Sequence, residues 1–401
     1  MFEIGPIFNA LRRSKVGAIL LLIQIAITTA IVSNAAFIIQ DRLQYLQQET
    51  GYPEQDLFSF SVMTFGQDVD LSQQFELDET MLRQLPGVVD ASITSVVPLS
   101  GSGSASGFNL KPAPEQSKNV RAAYIFADEH MLSTLGVELI AGRNFTQDEV
   151  VIAKDLSKLP NVGLVTQAFL DEMFPEGDGL GQTIYLGDKG LTIIGVIKQA
   201  SGPWLKDSRP NNLVIIPFVQ ASAVQEVIVR TEPGQRQAVM AQIEDLMLNA
   251  YDKRVLNWVK GLDEQKADYN AGDTLMMRML IVLIVVLILV TALGIFGLTL
   301  FNISKRTKQI GTRRALGARK SAIIRYFLVE NVMICLVGLL LGGAGAVYLG
   351  QQLMAHYSIP QLQLVYVFAT AIAVLLMTII AVFGPAKRAA DISPSIATRS
   401  I

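Results

Sequence analysis

Side chains that do covalent or metal chemistry are scarce in this 401-residue sequence. It has two histidines, His130 and His356, and one cysteine, Cys335. A multi-histidine metal centre and a thiolate cluster are therefore not expected, and no intrachain disulfide can form. The strings H-E-x-x-H, G-x-S-x-G and G-x-x-x-x-G-K-[ST] do not occur. The nearest approach to a phosphate loop, Gly311-Thr312-Arg313-Arg314-Ala315-Leu316-Gly317, lacks the lysine and hydroxyl that would hold phosphate and magnesium. Paired acids such as Asp128/Glu129, Asp148/Glu149 and Glu244/Asp245 are common on solvated surfaces and do not mark a glycosidase. His130, next to two of them, reads as a surface histidine. The isolated chain is thus expected to have no catalytic, cofactor or metal site, and not to be an enzyme by itself.

Two other groups of polar residues stand out because of their surroundings. Gln24, Thr28, Thr29, Ser33 and Asn34 interrupt one long apolar run, and Glu330 and Asn331 interrupt another. An acid at membrane depth is a functional candidate by default. Here Arg325 lies about one helical turn away, so structural pairing of Arg325 with Glu330 is the simpler expectation. Gly338 and Gly342 in the same run would let a second helix approach closely, within a bundle or a dimer. The second group lies between Asn302 and Arg325, with eight basic residues and no acid. Ile310, Ala315, Leu316 and Ala318 alternate there with the charges, and Gly311 and Gly317 punctuate them. That pattern predicts a short amphipathic helix at the membrane, able to dock into another protein.

The elements that must position these residues follow from where the apolar residues fall. Charged residues are only 17% of the chain and hydrophobic ones 51%, with a net charge of -2. The excess is concentrated in Val16–Ile39, Met279–Phe301, Tyr326–Gly350 and Leu364–Pro385, which together contain one ionisable acid or base, Glu330. Each run is long enough to cross roughly 30 Å of hydrocarbon as a helix. Arg12, Arg13 and Lys15 precede the first run, which is longer than a signal-peptide core and reads as an uncleaved anchor. Basic residues in the N-terminal arm, in the 302–325 connection and in the tail place all three on the cytoplasmic side. The expected order is a cytoplasmic amphipathic segment at 1–15, spans at 16–39, 276–301, 326–350 and 364–385, an outer domain with stalk helices at 40–275, a coupling segment at 302–325, a short outer link at 351–363 and an inner tail at 386–401.

Asp41–Leu275 carries 18 basic and 32 acidic residues, an acidity hidden by the near-neutral total. A basic nucleic-acid surface is not indicated. Alternation over Leu57–Thr64 predicts a strand, helical spacing over Glu76–Gln84 a helix, and Pro86-Gly87 its end. Further strands are expected at Val88–Val97, Ala122–Ile125, Thr183–Leu186, Leu191–Ile197, Asn212–Pro217, Val224–Arg230 and Val255–Trp258, with helices at Glu129–Leu135, Gln167–Met173 and Gln235–Asn249. Gly101–Gly107 reads as a flexible hairpin or loop, and Leu262–Met277 as a polar helix continuing into the second span. The domain is therefore mixed α/β.

This arrangement resembles the permeases of the MacB-like ABC transporters, related to FtsX and to the lipoprotein-release permeases. The carrying residues are Ala10–Lys15 and the string Lys305–Ala318, which is close to R-x-x-E-I-G-x-x-R-A-x-G-A with Gln309 where the family has Glu. Leu135-Gly136-Val137 with Gly142-Arg143-Asn144-Phe145, Asp178–Ile184, Ile194-Gly195-Val196, Pro385–Ala390 and Ser393–Ala397 are similar to further family motifs, in order. The resemblance implies an α-helical membrane protein with four transmembrane helices and a mixed α/β extracytoplasmic domain of the MacB periplasmic-core type, in the bacterial inner membrane. It implies ATPase coupling through Gln309, Ile310, Gly311, Arg313, Arg314, Ala315, Leu316, Gly317, Ala318 and Arg319, with Gln24, Asn34, Arg325, Glu330, Gly338 and Gly342 in membrane packing or pairing. Its implied partners are a separate ABC ATPase dimer, which binds the ATP and magnesium, a second permease copy or paralogue, and a periplasmic adaptor with an outer-membrane duct. The implied function is mechanotransmission in efflux of antimicrobial peptides, macrolides or other envelope compounds. Lipoprotein release and FtsX-like control of a cell-wall hydrolase are the alternatives.

Overall fold

The computed structural model describes residues 15–66, 69–115, 117–357 and 360–393. The basic N-terminal motif ahead of Lys15 and most of the Ser393–Ala397 motif lie outside them. The chain divides into two compact units, one holding the described residues up to Gln44 and from Asp273 onward, the other Tyr45–Gly272.

The first unit begins with α1 (Lys15–Leu46), whose apolar part is followed by a polar extension. The second unit then opens with β1 (Leu57–Thr64), α2 (Leu71–Gln84) and β2 (Val88–Thr94). Asp70 caps α2 by accepting the Ser72 N–H at 3.0 Å, so the helix starts earlier than its apolar spacing indicates. Next come β3 (Ser104–Asn109), β4 (Asn119–Ala127), α3 (Met131–Leu135), β5 (Leu139–Gly142), β6 (Val151–Ala153), β7 (Val162–Thr166) and α4 (Gln167–Met173). β8 (Thr183–Leu186), β9 (Lys189–Ile197), β10 (Leu213–Gln220), β11 (Val224–Thr231), α5 (Arg236–Ala250), β12 (Arg254–Gly261) and α6 (Leu262–Tyr269) complete it.

These strands make two sub-structures. The order β12-β1-β11-β2 is an antiparallel sheet, with Phe58 opposite Val229 and Phe60 opposite Val227. Alternation along β1 sends Phe58, Phe60 and Val62 to one face, where they pack with Phe75 and Leu82 of α2 and Val239, Ile243 and Met247 of α5. Beneath these helices Arg254 donates to Asp78 at 3.0 and 3.1 Å, with no exposure of the arginine side chain. The second sub-structure is barrel-like. The path β4-β3-β8-β9-β7-β10 closes on itself because β10 also pairs with β4, in parallel, with Leu213 beside Ala123. Phe108, Phe126, Val165, Ile193 and Phe218 fill its interior with Phe169 of α4. The Phe126 and Phe218 rings meet edge-on at 5.2 Å between centroids.

The first unit resumes with α7 (Ala271–Lys305), α8 (Thr307–Ala315), α9 (Lys320–Tyr357) and α10 (Leu364–Ala390). α1, α7, α9 and α10 are long and apolar enough to cross a membrane. Their burial runs opposite to that of a soluble bundle. Leu293, Phe368 and Ile380 are 69%, 67% and 75% exposed, while Thr28, Asn34, Thr299, Asn331 and Thr378 are buried. In lipid this is the stable distribution, because polar groups find partners only inside the bundle. Thr28 and Thr291 hydroxyls are 2.8 Å apart, and Thr378 donates to the Val374 carbonyl at 2.8 Å.

One local expectation sharpens and another changes. Of the hairpin-or-loop stretch Gly101–Gly107, only the part before Ser104 is loop, because β3 begins at Ser104 and forms a hairpin arm with β4 from Ser104↔Tyr124 to Asn109↔Asn119. Small residues hide a strand from propensity, and here they let the strands approach: a Cβ on Gly107 would crowd the Asn119 amide. Leu262–Met277 is not one helix. It breaks at Asn270, whose side chain takes the Lys266 carbonyl at 2.8 Å.

Candidate functional site

The sequence pointed to the connection between the second and third spans, and the structure gives it a definite shape. α7 ends at Lys305, Arg306 turns the chain, and α8 runs for two and a half turns before α9 starts at Lys320. The stop is a glycine cap. Gly317 has φ +90, its N–H reaches the Arg314 carbonyl at 3.1 Å, and the Ala318 N–H reaches the Arg313 carbonyl at 3.0 Å. Those paired bonds satisfy carbonyls that a helix end otherwise leaves open. Arg314 adds a side-chain bond to the Ala318 carbonyl at 3.0 Å.

α8 has an inner and an outer face. Ile310 is 5% exposed and joins the cluster that contains Ile323, Phe327, Val382 and Ala386, with Gly311 buried beside it. Ile310 is therefore an anchor to the chain's own bundle rather than a docking residue. Leu316 is the reverse, at 83% exposure, and Gln309, Arg313, Ala315 and Arg319 are exposed with it. The outer face is thus cationic with one large apolar projection. A void of about 40 Å³ between α8 and α9 has room for little more than a water molecule.

α8 is fixed at its start by an interaction that local sequence does not reveal. Arg306 donates to Glu330 at 2.9 Å and to the Tyr326 hydroxyl at 3.3 Å. The Arg313 guanidinium lies over the Tyr326 ring, 5.2 Å from its centroid. Glu330 is 3% exposed, so the pair sits inside the bundle. Arg325, the neighbour expected to pair with Glu330, is exposed on the far side of its turn. At the other end Lys320 donates to Asp391 at 2.6 Å, tying the start of α9 to the residue after α10 and holding that carboxyl below its ordinary range. Arg306, Tyr326 and Asp391 are the site residues that sequence reasoning missed. The available signal was an acid in an apolar run requiring a cation from somewhere.

The remaining candidates are packing residues within the first unit. Gln24 donates to the Val290 carbonyl at 3.0 Å and lies against Gly294, where a Cβ would be 2.6 Å from its amide oxygen. Asn34 donates to the Ala346 carbonyl at 3.0 Å. Gly338 and Gly342 receive α1: a Cβ on Gly338 would stand 2.8 Å from Ile25, and one on Gly342 would stand 2.7 Å from the Ala26 carbonyl. The small-residue stripe thus serves an α1–α9 contact of one chain.

Four apolar helices, an α/β domain inserted after the first, and a cationic elbow after the second define a multi-pass membrane protein with a large extracytoplasmic domain. Comparison with known proteins is specific. Residues 17–246 match the MacB-like periplasmic core domain and residues 281–394 match the FtsX-like permease C-terminal family. The chain belongs to the MacB/FtsX-like permease family. It is 28% identical over 268 residues to a macrolide export ATP-binding/permease protein MacB of Yersinia pestis, covering 64% of this chain and 39% of that one. The corresponding protein of Pectobacterium atrosepticum is 26% identical over 302 residues, covering 71% and 45%. The chain therefore spans less than half the length of these relatives. Among solved structures, the periplasmic region of MacB from Actinobacillus actinomycetemcomitans is similar over 56% of this chain and 97% of that one, at 12% identity and a TM-score of 0.34.

Proposed function

We propose that this chain is the permease subunit of an ATP-driven ABC efflux or extrusion system in a bacterial inner membrane, with both termini cytoplasmic. A separate ATPase dimer docks beneath α8, and motion of that elbow passes along the spans to the periplasmic domain. A second copy or paralogue completes the membrane part, and an adaptor with an outer-membrane duct carries the exported compound onward. The observation that supports this reading is the two-sidedness of α8. Ile310 and the Arg306–Glu330 pair join it to the third span and the Gly317 cap ends it, while Leu316 projects from a cationic outer face. A lever needs a stiff attachment and a free contact surface, and this one short connection has both. The curated relatives carry the name macrolide export, which makes amphiphilic compounds, antimicrobial peptides included, the first substrates to test.

The experiment is native copurification of the full chain with its cognate ATPase. Leu316→Asp should abolish the association while leaving the melting temperature of the permease unchanged. Unimpaired association and ATPase stimulation in that variant would refute the docking role. An ATPase accompanied by trapped lipoprotein would instead identify a lipoprotein-release permease.

A further inference from the structure

The antiparallel sheet of the extracytoplasmic domain has a second face that is only partly covered, with Leu57 and Ile228 packed there against Val96, Val97 and Leu262. Where β1 gives Phe58 and Phe60 to α2 and α5, it gives Ser59 and Ser61 to the opposite side. That side opens into a cavity of about 480 Å³ lined by residues of β1, β11, β12, α6 and the loop after β2. The volume lies within the roughly 300–1,000 Å³ usual for small-molecule sites. The cavity belongs wholly to this domain, so a ligand bound there is independent of the transport reading.

The cavity is bordered by an aromatic residue in an unusual conformation. Between Ser59 and Ser61 the register with β12 slips, since Ser59 faces Lys260 and Ser61 faces Asn257. The extra residue makes a bulge, and Trp258 sits in it with φ +60. Bulky residues rarely adopt that conformation. Trp258 gains no packing in return, being 72% exposed. A strained, exposed indole at the rim of a cavity points to an occupant rather than to the core. On the other wall Tyr269 is pressed against Gly101, which has φ +79 and no room for a Cβ beside the ring.

The polar lining defines the class of ligand. Glu226 is half-buried and has no ion-pair partner among the described residues. Lys260 donates to Asp268 at 2.6 Å, and the Gln265 amide donates to the Ser59 hydroxyl. Ser102 adds an exposed hydroxyl. Donors and acceptors are thus interspersed, on side chains beside aromatic faces. The chain's own lysines already take the cation positions on both rings: Lys260 is 5.8 Å from the Trp258 centroid and Lys206 is 4.8 Å from that of Tyr269. A cationic ligand would meet those lysines, and an anionic one would meet Glu226. A purely apolar ligand would strip water from Glu226 and the hydroxyls without replacing it. A sugar ring satisfies each condition, with an apolar C–H face for the indole and vicinal hydroxyls that both donate and accept. We infer that this cavity binds a neutral saccharide of mono- or disaccharide size, stacked on Trp258 and hydrogen-bonded to Glu226, Asp268 and Lys260.

The test uses the full chain in lipid nanodiscs, because alkyl glycoside detergents carry a competing sugar headgroup. Cellobiose, maltose and N,N'-diacetylchitobiose are titrated by calorimetry and by tryptophan fluorescence, beside benzyltriethylammonium and glucuronate. At least one neutral saccharide should bind saturably and change the emission, with the cation and the anion showing neither effect. Trp258→Gly should weaken binding more than tenfold and abolish the fluorescence change. Its melting temperature should hold or rise, because glycine accepts the bulge conformation without strain. Glu226→Gln, which keeps the shape and loses the charge, should weaken the same saccharide several-fold. Failure of every neutral saccharide, binding of the cation instead, or undiminished affinity in Trp258→Gly would each overturn the inference.

Discussion

Arg306 and Glu330 lie 24 residues apart in sequence and 2.9 Å apart in space, joining the bend between the second span and the elbow to the third span. The glutamate side chain is 4% exposed and the arginine 16%. Removing one partner from a pair this buried leaves a charge without compensation, which costs about 3–5 kcal/mol, whereas replacing both with apolar residues of similar size is often neutral. Glu330→Ala should therefore lower the thermal stability of the purified permease sharply. Arg306→Met combined with Glu330→Met should recover most of it. Equal losses in the single and double variants would show that the pair is not what holds the elbow.

The same elbow depends on one backbone conformation. Gly317 has φ +90, and a Cβ built on it would meet nothing within 4 Å. A substitution there is opposed by the backbone alone, at about 1–2 kcal/mol for an ordinary L-residue. Gly317→Val should reduce both the melting temperature and ATPase association. Gly317→Asn should do so less, because asparagine tolerates the left-handed region better. The ranking Gly, Asn, Val by calorimetry is the expected outcome.

In the extracytoplasmic domain, Glu79 and Asp128 form a buried acid pair. Burial raises both, and the proximity of Asp128 raises Glu79 further, against weaker opposing effects of the Ile93 N–H and Arg83. Glu79 therefore holds its proton to higher pH in the fold than in the unfolded chain, and Asp128 accepts from Ser92 at 2.5 Å. The fold favours the protonated forms. The pair's stabilising contribution is full below the ordinary carboxylate range near pH 4 and is lost as pH rises through the raised folded values. Glu79→Gln retains an acceptor for Ile93 and removes the charge. It should be more stable than the parent at alkaline pH, with the difference vanishing toward pH 4 in a melting series. A constant difference across that series would contradict the buried-pair assignment.

Legibility in the sequence followed the range of the interactions. Leu57–Thr64 alternates because one sheet face packs Phe58, Phe60 and Val62 into core while the other carries Ser59 and Ser61, and that pattern is local, so the strand is legible to the residue. The elbow was legible as well, since charge, glycine and apolar residues alternate within one short stretch. Its polarity was not. Ile310 and Leu316 look alike in sequence, and only the bundle determines that one is buried and the other projects. Glu330 was visible as an acid in an apolar run, but its partner is a tertiary contact that no helical spacing supplies. His130 is a similar case: it reads as a surface residue and is instead paired with Asp90 at 3.0 Å. β3 was legible only as a hairpin or loop, because Ser104, Ala105, Ser106 and Gly107 have low strand propensity and gain their place from pairing with β4.

The contact between the first and third spans gives a test that separates neighbouring glycines on one helix. A Cβ on Gly342 would lie 2.7 Å from both the Ala26 carbonyl oxygen and the Thr29 Cβ, so relief requires moving the α1 backbone. On Gly345, one turn further along, the nearest atom is the Ala30 Cβ at 3.5 Å, an ordinary van der Waals distance. The first position is closed to even one methyl group, and the second can take it and gain packing. Gly342→Ala should therefore separate α1 from α9, break the Asn34–Ala346 bond at 3.0 Å and lower the melting temperature in nanodiscs. Gly345→Ala should be neutral or stabilising, by about 0.4–1 kcal/mol from reduced freedom of the unfolded chain. Equal tolerance at both positions would mean that these helices do not meet through this stripe, and the packing of α1 on α9 would have to be redrawn.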